Sequence, residues 1–484
     1  MGDEERYYIC IDLKTFYASV ECADRGLDPF TTNLVVADPD RGPTTICLAV
    51  STAMKKLGVR NRCRVFEIPQ GIDYIKARPR MRHYMEVSAR IYGIYLTYVS
   101  PQDVHVYSVD ECFIDVTPYL KLYGMTPRAF ARELMGAVRS QTGICATAGI
   151  GTNLFLAKVA LDVTAKHVGD GIGALDEETF RRKIWPHRPI TDIWGIGPGI
   201  ARHLERYRVY DLMGVAALDE RILYREFGIN AEYLIDHAHG REPCTIADIH
   251  AYRPATTSLA NGQVLSRDYT FEEARTVVRE MVDTSVLDLV ARHVIASGIS
   301  LSVGYGRGAA PAVTPGEPAC IDPARHSAQD DTVLLERQAR AARWRGEHVD
   351  AGAARVGELF IGEHGAVRVG RGAFGHAGGQ RRLPGRTNSR RKLMQAFLAL
   401  FDETVDRHRA IRRVQIGFGD LMPEEFQDLD LFCDVEAEQA ERRLAEAVND
   451  LKGRYGKNVL LRGTNFRHGA TGRERNEQVG GHHA

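Results

Sequence analysis

The chain has 484 residues, of which 44% are hydrophobic and 26% are charged, and its formal net charge is zero. This length predicts about three or four domains, each able to bury its own core. The neutral net charge gives no sign of a nucleic-acid partner, so any site for a polyanion must come from local segregation of charge. No apolar run approaches the ~20 residues that span a bilayer, which argues against a membrane protein.

The nine cysteines are scattered, and no two have the spacing Cys-x-x-Cys. This pattern argues against a disulfide framework and against a structural zinc site. The first residues do not resemble a cationic leader followed by a cleavable apolar segment. We therefore expect reduced cysteines and a cytoplasmic protein.

The N-terminal region alternates strand and helix patterns. The apolar run Tyr8–Leu13 is typical of a buried strand, and helical spacing follows over residues 16–22, so Asp12 lies where a strand ends. Strands are predicted over residues 33–37 and 46–50. A helix over residues 51–57 then stops at a glycine.

The region around Asp110 predicts a hairpin. Helical spacing over residues 84–98 gives way to alternation over residues 104–109, and a further strand covers residues 112–116. Only Asp110 and Glu111 lie between the two strands, so we expect a tight hairpin with both carboxylates at its tip. There both can converge on one site, whereas adjacent acids within a strand would point to opposite faces.

The remaining elements predict further domains. Helices over residues 127–139 and 153–164 enclose a strand over residues 145–150, which favours an antiparallel or mixed sheet with helices on one face. The later predictions are a mostly helical module at 176–242, strands at 299–305 and 413–417, and helices at 271–292, 390–407 and 436–454. Residues 308–329, rich in Pro, Ala and Gly, predict a mobile insertion, followed by a helix at 331–344. We expect a poorly ordered tail after residue 454.

Two segments resemble a known family. The segment IDLKTFYASVE at residues 11–21 and the segment YSVDECFIDVT at residues 107–117 resemble the two palm signatures of Y-family DNA polymerases, most of all their UmuC-like, UV-damage-repair branch. An Asp-Glu pair alone would more often be ordinary turn chemistry. The resemblance runs across nearly the whole chain, and only an insertion near residues 308–370 falls outside it.

The resemblance implies an α+β, multidomain right-hand polymerase without a proofreading site, acting in lesion bypass and the SOS response. Its expected parts are a palm at residues 1–15 and 85–173, fingers at 16–84, a thumb with a helix-hairpin-helix at 174–242, a linker at 243–253, a little finger at 254–420, and a clamp-binding motif and tail at 421–484. We expect a monomer.

The acids match a two-metal centre for phosphoryl transfer, in which cations roughly 3.5 to 4 Å apart need carboxylates on a rigid element. Asp12 and Asp110 would bridge two Mg²⁺ ions, Glu111 would bind the ion that activates the primer hydroxyl, and the carbonyl of Leu13 would complete the other.

Four residues match positions around the incoming nucleotide. By resemblance, Tyr17 lies under the sugar as a steric gate that excludes ribonucleotides. Lys55 and Lys166 would bind the triphosphate, although exposed lysines are usually only solvated charges. Thr52 stands where many relatives carry Tyr, and Lys55 where many carry Arg, so the details of triphosphate binding differ from the family pattern.

Two basic regions match DNA contacts. Gly195, Gly197 and Gly199 form the pattern of a helix-hairpin-helix turn whose free N–H groups bind a backbone phosphate, with Arg202 following. The alternative is a simple loop between helices. In the little finger, the acid-free stretch with Arg381, Arg382 and Arg386 predicts a DNA-gripping patch, unless it is only a solvated charge run.

The segment QDLDLF at residues 427–432 resembles the peptide by which bacterial polymerases bind the β sliding clamp. Its expected contacts are Gln427, Leu429, Leu431 and Phe432, unless the last two simply pack on the little finger. The resemblance also implies primer-template DNA, deoxynucleoside triphosphates and a recombinase filament as partners. The competing functions are a non-catalytic DNA-binding protein with the same fold and a palm-fold nucleotidyl cyclase.

Overall fold

The structure, a computed structural model, describes residues 5–253, 258–309, 375–426, 428, 435–479 and 482–483. The chain divides into two compact units, Met1–Arg253 with His482–Ala484, and Pro254–Gly481. Two predicted features lie almost wholly outside the described residues. These are the insertion with its helix at 331–344 and the clamp peptide with Gln427, Leu429, Leu431 and Phe432. In the described residues, no helix has the length and apolar character needed to cross a membrane.

Residues 5–253 of the first unit contain eight strands and twelve α-helices. The strands are β1 (Tyr8–Leu13), β2 (Leu34–Val36), β3 (Ala49–Val50), β4 (Ile75–Ala77), β5 (Val104–Val106), β6 (Glu111–Asp115), β7 (Ala146–Gly151) and β8 (Ile172–Leu175). The helices are α1 (Phe16–Ala23), α2 (Thr52–Lys56), α3 (Met81–Tyr95), α4 (Thr117–Tyr123), α5 (Pro127–Thr142), α6 (Leu154–Val159), α7 (Glu177–Lys183), α8 (Pro198–Glu205), α9 (Leu212–Ala217), α10 (Glu220–Phe227), α11 (Ala231–Ala238) and α12 (Ile246–Ala251).

The main sheet of this unit has the order β5-β6-β1-β7-β8. Its central strand β1 is antiparallel to β6 and β7, while β7 and β8 run parallel. Alternation along β1 sends Ile9 and Ile11 into a core with α1, α3 and α5, and Tyr8 and Cys10 into a second core with α6 and α12. The prediction of helices on one face was wrong, because β1 is apolar on both faces and both must be covered.

Two glycines of β7 let α6 lie directly on the sheet. A Cβ on Gly149 would come 2.1 Å from the carbonyl oxygen of Ala157, and one on Gly151 would come 2.2 Å from its backbone nitrogen. Any larger residue would therefore push α6 away from β1 and β6. The helix then continues through a π-helical turn, Ala160–Thr164. The predicted helix at 153–164 is therefore confirmed, although its second half is π-helical rather than α-helical.

Two smaller cores complete the first unit. The strands β2, β3 and β4 form a three-stranded sheet with its own apolar cluster, which includes Val35, Val50 and Met54. Helices α7 to α11 share a cluster with α6, as expected for a mostly helical module. Residues predicted as a linker include α12, whose Ile246 is buried in the second core of the main sheet.

The second unit is a five-stranded antiparallel sheet covered by long helices. Its strands are β9 (Ser258–Tyr269), β10 (Val294–Ala309), β11 (His376–Thr387), β12 (Arg409–Gly419) and the short β13 (Met422–Pro423). Its helices are α13 (Phe271–Ala291), α14 (Arg390–Thr404), α15 (Val435–Tyr455) and α16 (Gly472–Asn476). The sheet order is β11-β10-β12-β9, with the short fifth strand β13 paired to β10. Apolar residues of β10 and β12 pack with α13 and α14. Two short strands, Gln478–Val479 and His482–His483, follow.

The tail after α15 differs from the prediction of a poorly ordered segment. Residues 456–479 are described, and they pack on α13 through its buried Glu280. That carboxylate accepts hydrogen bonds from the Asn465 side chain at 2.6 Å, the Thr471 backbone N–H at 2.7 Å and the Gly472 backbone N–H at 3.1 Å. No local pattern predicts this contact, since Glu280 lies 185 to 192 positions from the groups that it binds.

Candidate active site

The three predicted acids meet at one end of the main sheet. Asp12 in β1 lies directly across from Glu111 in β6, and the backbone N–H of Leu13 donates to the carbonyl of Asp110 at 2.9 Å. The prediction that Glu111 lies in the hairpin turn was wrong. Glu111 is the first residue of β6, and the loop covers residues 107–110. Adjacent acids nevertheless converge, because Asp110 precedes the strand and is free of its alternation.

Each carboxylate has different partners. Glu111 accepts hydrogen bonds from the Lys158 ammonium at 2.8 Å and from the Cys10 thiol at 3.1 Å. Asp110 accepts a hydrogen bond from the Ser108 hydroxyl at 2.7 Å. Burial alone would lower the pKa of Lys158, but the hydrogen bond and charge of Glu111 outweigh it and raise this pKa. Lys158 is therefore a buried cation fixed against the site.

The ionised form of Asp12 is disfavoured in this cluster. Burial, together with the charges of Asp110 and Glu111, raises the pKa of Asp12 to about 7. Directly opposed like charges on neighbouring strands are unfavourable, and a divalent cation would relieve that repulsion. The oxygen-only donor set suits magnesium.

The side chains as placed do not yet surround an ion. In the part of the chain that the structure describes, no group of three or more His, Cys, Asp or Glu side chains has a metal-binding arrangement. Glu111 is turned to Lys158 and Cys10 instead. The acids fit a cation by charge and donor type, and Glu111 would have to exchange its partners to bind one.

Tyr17 is held beside these acids by a tight turn and a stacked ring. Thr15, just before α1, has a left-handed backbone with φ of 48°, which is rare for a β-branched residue and reverses the chain between Asp12 and Tyr17. The Tyr17 ring stacks on Tyr84 with centroids 4.6 Å apart. Burial, followed by the charge of Asp110, raises the pKa of Tyr17.

The stacking partner is fixed by a buried acid. The Tyr84 hydroxyl donates to Glu21 at 2.7 Å, and Arg80 donates to the same carboxylate at 2.8 Å, while Arg25 completes its partners. The Glu21 side chain is fully buried. Burial by itself would raise the pKa of Glu21, but these hydrogen bonds outweigh it and lower the pKa.

Two predicted phosphate ligands approach the acids. Lys55, in α2, lies close enough to Asp12 and Lys166 for both charges to act on it. Surrounding protein atoms lower the pKa of Lys55, the charge of Lys166 lowers it further, and Asp12 opposes both. Thr52 is the first residue of α2, which the Ser51 hydroxyl caps by accepting from the Met54 N–H at 3.3 Å. Lys55 thus lies near Asp12, and Lys166 lies near Lys55.

The predicted helix-hairpin-helix turn leads into α8. Gly195 has a positive φ of 86°, and a Cβ on Gly195, Gly197 or Gly199 would meet no atom within 4 Å. Gly197 is the N-cap of α8 and offers no side chain to the free N–H groups of the helix. Arg202 is exposed on the same helix. The turn is therefore open to an incoming anion.

The predicted basic stretch of the second unit is not one patch. Arg381 lies on the helix side of β11 and pairs with Glu403, and Arg386 pairs with Asp428 at 3.6 Å. Acids from other elements thus offset charges that have no acidic neighbours in sequence. Arg382 points to the opposite side and is exposed, as is Arg413 of β12.

Several residues of the site were not predicted from the sequence. The position of Lys158 could have indicated a buried charge, since it is a lone cation in the apolar run of α6. Glu21 and Tyr84 had none, because their contact joins residues 63 positions apart.

The comparisons with known proteins agree with this architecture. Residues 11–162 match the impB/mucB/samB family, and residues 256–431 match the C-terminal domain of that family. The protein UvrX of Bacillus subtilis (strain 168) is 32% identical over 302 residues, which are 62% of this chain and 70% of UvrX. DNA polymerase IV 2 of Halalkalibacterium halodurans is 24% identical over 481 residues, covering 99% of this chain and 100% of the relative.

Among solved structures, the Y-family DNA polymerase chimera Dbh-Dpo4(243-245)-Dbh matches with a TM-score of 0.55 and 16% identity over 86% of this chain and 99% of the chimera. The fold and the acid cluster therefore define the class, a multidomain α+β polymerase of the right-hand type. The chain belongs to the impB/mucB/samB family, within the UmuC-like branch of the Y-family DNA polymerases.

Proposed function

We propose that this Y-family polymerase extends a primer opposite damaged template bases by two-metal nucleotidyl transfer. The observation that carries the mechanism is the geometry of the acids, because Asp12 lies directly across from Glu111 and the backbone N–H of Leu13 donates to the carbonyl of Asp110. The three carboxylates outnumber the Lys158 ammonium that pairs with Glu111, and a pair of divalent cations would offset the remaining charge.

In this mechanism Asp12, Asp110 and the Leu13 carbonyl would help to hold two Mg²⁺ ions, and Glu111 would serve the ion that activates the primer hydroxyl. When bound, the ions polarise the reacting oxygens and stabilise the developing charge of phosphoryl transfer. Lys158 pairs with Glu111 until a cation binds, so that the buried carboxylate keeps a partner of opposite charge.

A second set of residues, outside the acid cluster, binds the incoming nucleotide. Lys55 and Lys166 supply point charges to the triphosphate, without the bidentate geometry of an arginine. Thr52 begins the same helix as Lys55 and contributes a hydroxyl rather than a ring. Tyr17, backed by Tyr84, excludes a ribose 2′-hydroxyl by steric contact.

The DNA is bound through its backbone. The open turn with Gly195, Gly197 and Gly199 receives a phosphate of the duplex, with Arg202 beside it. In the second unit, Arg382 contributes to an exposed basic surface, whereas Arg381 and Arg386 are paired with Glu403 and Asp428. The clamp peptide at residues 427–432 docks on the β sliding clamp, and a recombinase filament is a further partner. The protein acts as a monomer in the cytoplasm during the response to DNA damage.

Primer extension tests this function. Asp110→Asn and Glu111→Gln should each lower the extension rate by about 10³-fold, since a lost metal ligand removes several kcal/mol of charge stabilisation. The control is Asp115→Asn, in the same strand as Glu111, which should extend normally. Undiminished extension by the two variants would contradict the mechanism. Wild-type protein that binds DNA without extension would support the non-catalytic alternative, and a cyclic nucleotide product would support the cyclase.

A further inference from the structure

Tyr107 occupies the loop that leads into the catalytic strand. Its backbone N–H donates to the carbonyl of Glu111 at 3.0 Å, which closes the loop of residues 107–110. Its ring meets Phe113 edge to face with centroids 5.8 Å apart, and the Lys158 ammonium lies 5.9 Å from the ring centroid. Tyr107 therefore contacts the strand of Glu111 and the lysine that pairs with Glu111.

The other side of Tyr107 meets the thumb. The indole N–H of Trp194 donates to the Tyr107 hydroxyl at 3.1 Å, and the two rings pack edge to face with centroids 6.1 Å apart. Trp194 immediately precedes Gly195, the first glycine of the open turn. A direct contact thus joins the thumb turn to the catalytic loop across 87 residues of sequence.

Trp194 also contacts a second ring, that of His237. Its ring stacks on His237, with centroids 5.9 Å apart, and His237 stacks on Phe155 of α6 at 4.0 Å. The His237 ring also pairs with Glu242 at 2.9 Å. Since Phe155 and Lys158 belong to the same helix, the indole is braced against the element that holds Glu111.

We propose that Tyr107 is a positioning residue that couples the DNA-binding turn of the thumb to Glu111 through its contact with Trp194. Duplex bound at the turn fixes Trp194, Trp194 fixes the Tyr107 ring, and the closed loop holds Asp110 and Glu111 for metal binding. This coupling rests on the proposed function, because it needs both the duplex site and the carboxylate site. Neither ring touches the reacting atoms in this scheme, so the effect passes through the loop.

The test uses Tyr107→Phe, which keeps the ring and removes the acceptor hydroxyl, and Trp194→Phe, which keeps an aromatic ring and removes the donor indole N–H. Each single variant should lower the single-turnover extension rate about fivefold, as expected for a net hydrogen-bond contribution. The double variant should be no slower than either single variant. DNA affinity, measured by fluorescence anisotropy, should stay within twofold of wild type in all three.

A second readout measures the cation site itself. Binding of Mn²⁺ to the protein on a primer that cannot be extended, followed by electron paramagnetic resonance, should weaken about fivefold in both single variants. The matched control is Trp185→Phe, which removes an indole hydrogen bond of 2.7 Å to the Ala238 carbonyl within the thumb. It should leave the extension rate and Mn²⁺ affinity unchanged.

The outcomes separate the two proposals. A wild-type protein that extends no primer overturns the proposed function. A wild-type protein that extends primers, with single variants that match it or a double variant whose defect is the product of the two, overturns the coupling alone. A loss of DNA affinity with normal Mn²⁺ binding would also overturn the coupling, since it would place the role of Trp194 in the thumb only.

Discussion

At the scale of single residues, the site depends on groups that are buried and paired before any substrate arrives. Lys158 pairs with Glu111, and Glu21 bonds Tyr84, on which the proposed gate residue Tyr17 stacks. A buried charge that loses its partner is costly, so each of these pairs fixes a side chain in one position. The reacting groups therefore rest on a rigid set of neighbours.

Tyr17→Ala should admit ribonucleotides. Removal of the ring opens space for a 2′-hydroxyl, so discrimination against ribonucleoside triphosphates should fall by roughly 100-fold, or about 2.7 kcal/mol. The ratio of kcat/KM for matched deoxy and ribo substrates measures this change. Tyr17→Phe keeps the ring and should retain the wild-type ratio. Equal discrimination by Tyr17→Ala and the wild type would exclude Tyr17 as the gate.

Glu21→Gln should destabilise the first unit in a pH-dependent manner. The folded-state pKa of Glu21 is lowered, so its ion pairs contribute fully at neutral pH and are lost as the pH falls through that lowered pKa. We expect a loss of about 3 kcal/mol in the free energy of unfolding at pH 7, shrinking below about pH 4.

Urea unfolding at pH 7 and at a pH below about 4 measures the effect of Glu21→Gln. Glu86→Gln, at an exposed position on α3, serves as the control and should unfold like the wild type. A destabilisation of the same size at both pH values would show that the carboxylate charge of Glu21 is not responsible.

At the scale of elements, one buried acid organises the end of the chain. Glu280 lies in the middle of α13 and receives the tail through the Asn465 side chain and the backbone N–H groups of Thr471 and Gly472. A Cβ at Gly472 would lie 2.7 Å from the Glu280 carboxylate, so a larger residue would force that carboxylate to shift. The tail is therefore part of the second unit.

Glu280→Ala should release the tail. Removal of the carboxylate leaves buried N–H groups unpaired, which should cost about 3 kcal/mol and expose the chain after residue 456 to proteolysis. Limited trypsin digestion monitored by mass spectrometry measures the cleavage rates. Glu272→Ala, at an exposed position on the same helix, provides the comparison. Equal cleavage of the two variants would mean that other contacts hold the tail.

At the scale of the whole molecule, the two faces of a sheet separate arginines that are neighbours in sequence. In the second unit, the face of β10 away from the helices carries Gly298, Ser300 and Ser302, which leave the backbone accessible. Arg382 and Arg413 share that side, while Arg381 points to the helices. A neutral chain can thus present a basic face to a nucleic acid.

The salt dependence of DNA binding should distinguish these arginines. Arg382→Ala and Arg413→Ala should each reduce the slope of log Kd against log salt concentration by about 1, the value for one lost phosphate contact. Arg381→Ala, the matched neighbour already paired with Glu403, should change the slope less. Equal slopes for all three variants would contradict DNA binding by this face.

The sequence by itself determined the elements and the identity of the acids. Apolar runs and helical spacing predicted β1, α1, α13 and most other elements, because burial imposes its period on the sequence directly. The pattern around Asp12 and Asp110 also predicted that both acids lie at strand ends. The resemblance then supplied the polymerase class, which the comparisons confirm.

Only the tertiary structure decided which side chains meet. Lys158 against Glu111, Tyr107 against Trp194, and Glu280 against the tail all join residues far apart in sequence, and no local period encodes such contacts. The same holds for Arg381, whose charge is offset by an acid on another helix. Periodicity reports which face a residue is buried on, whereas the partner on that face follows from how the elements pack.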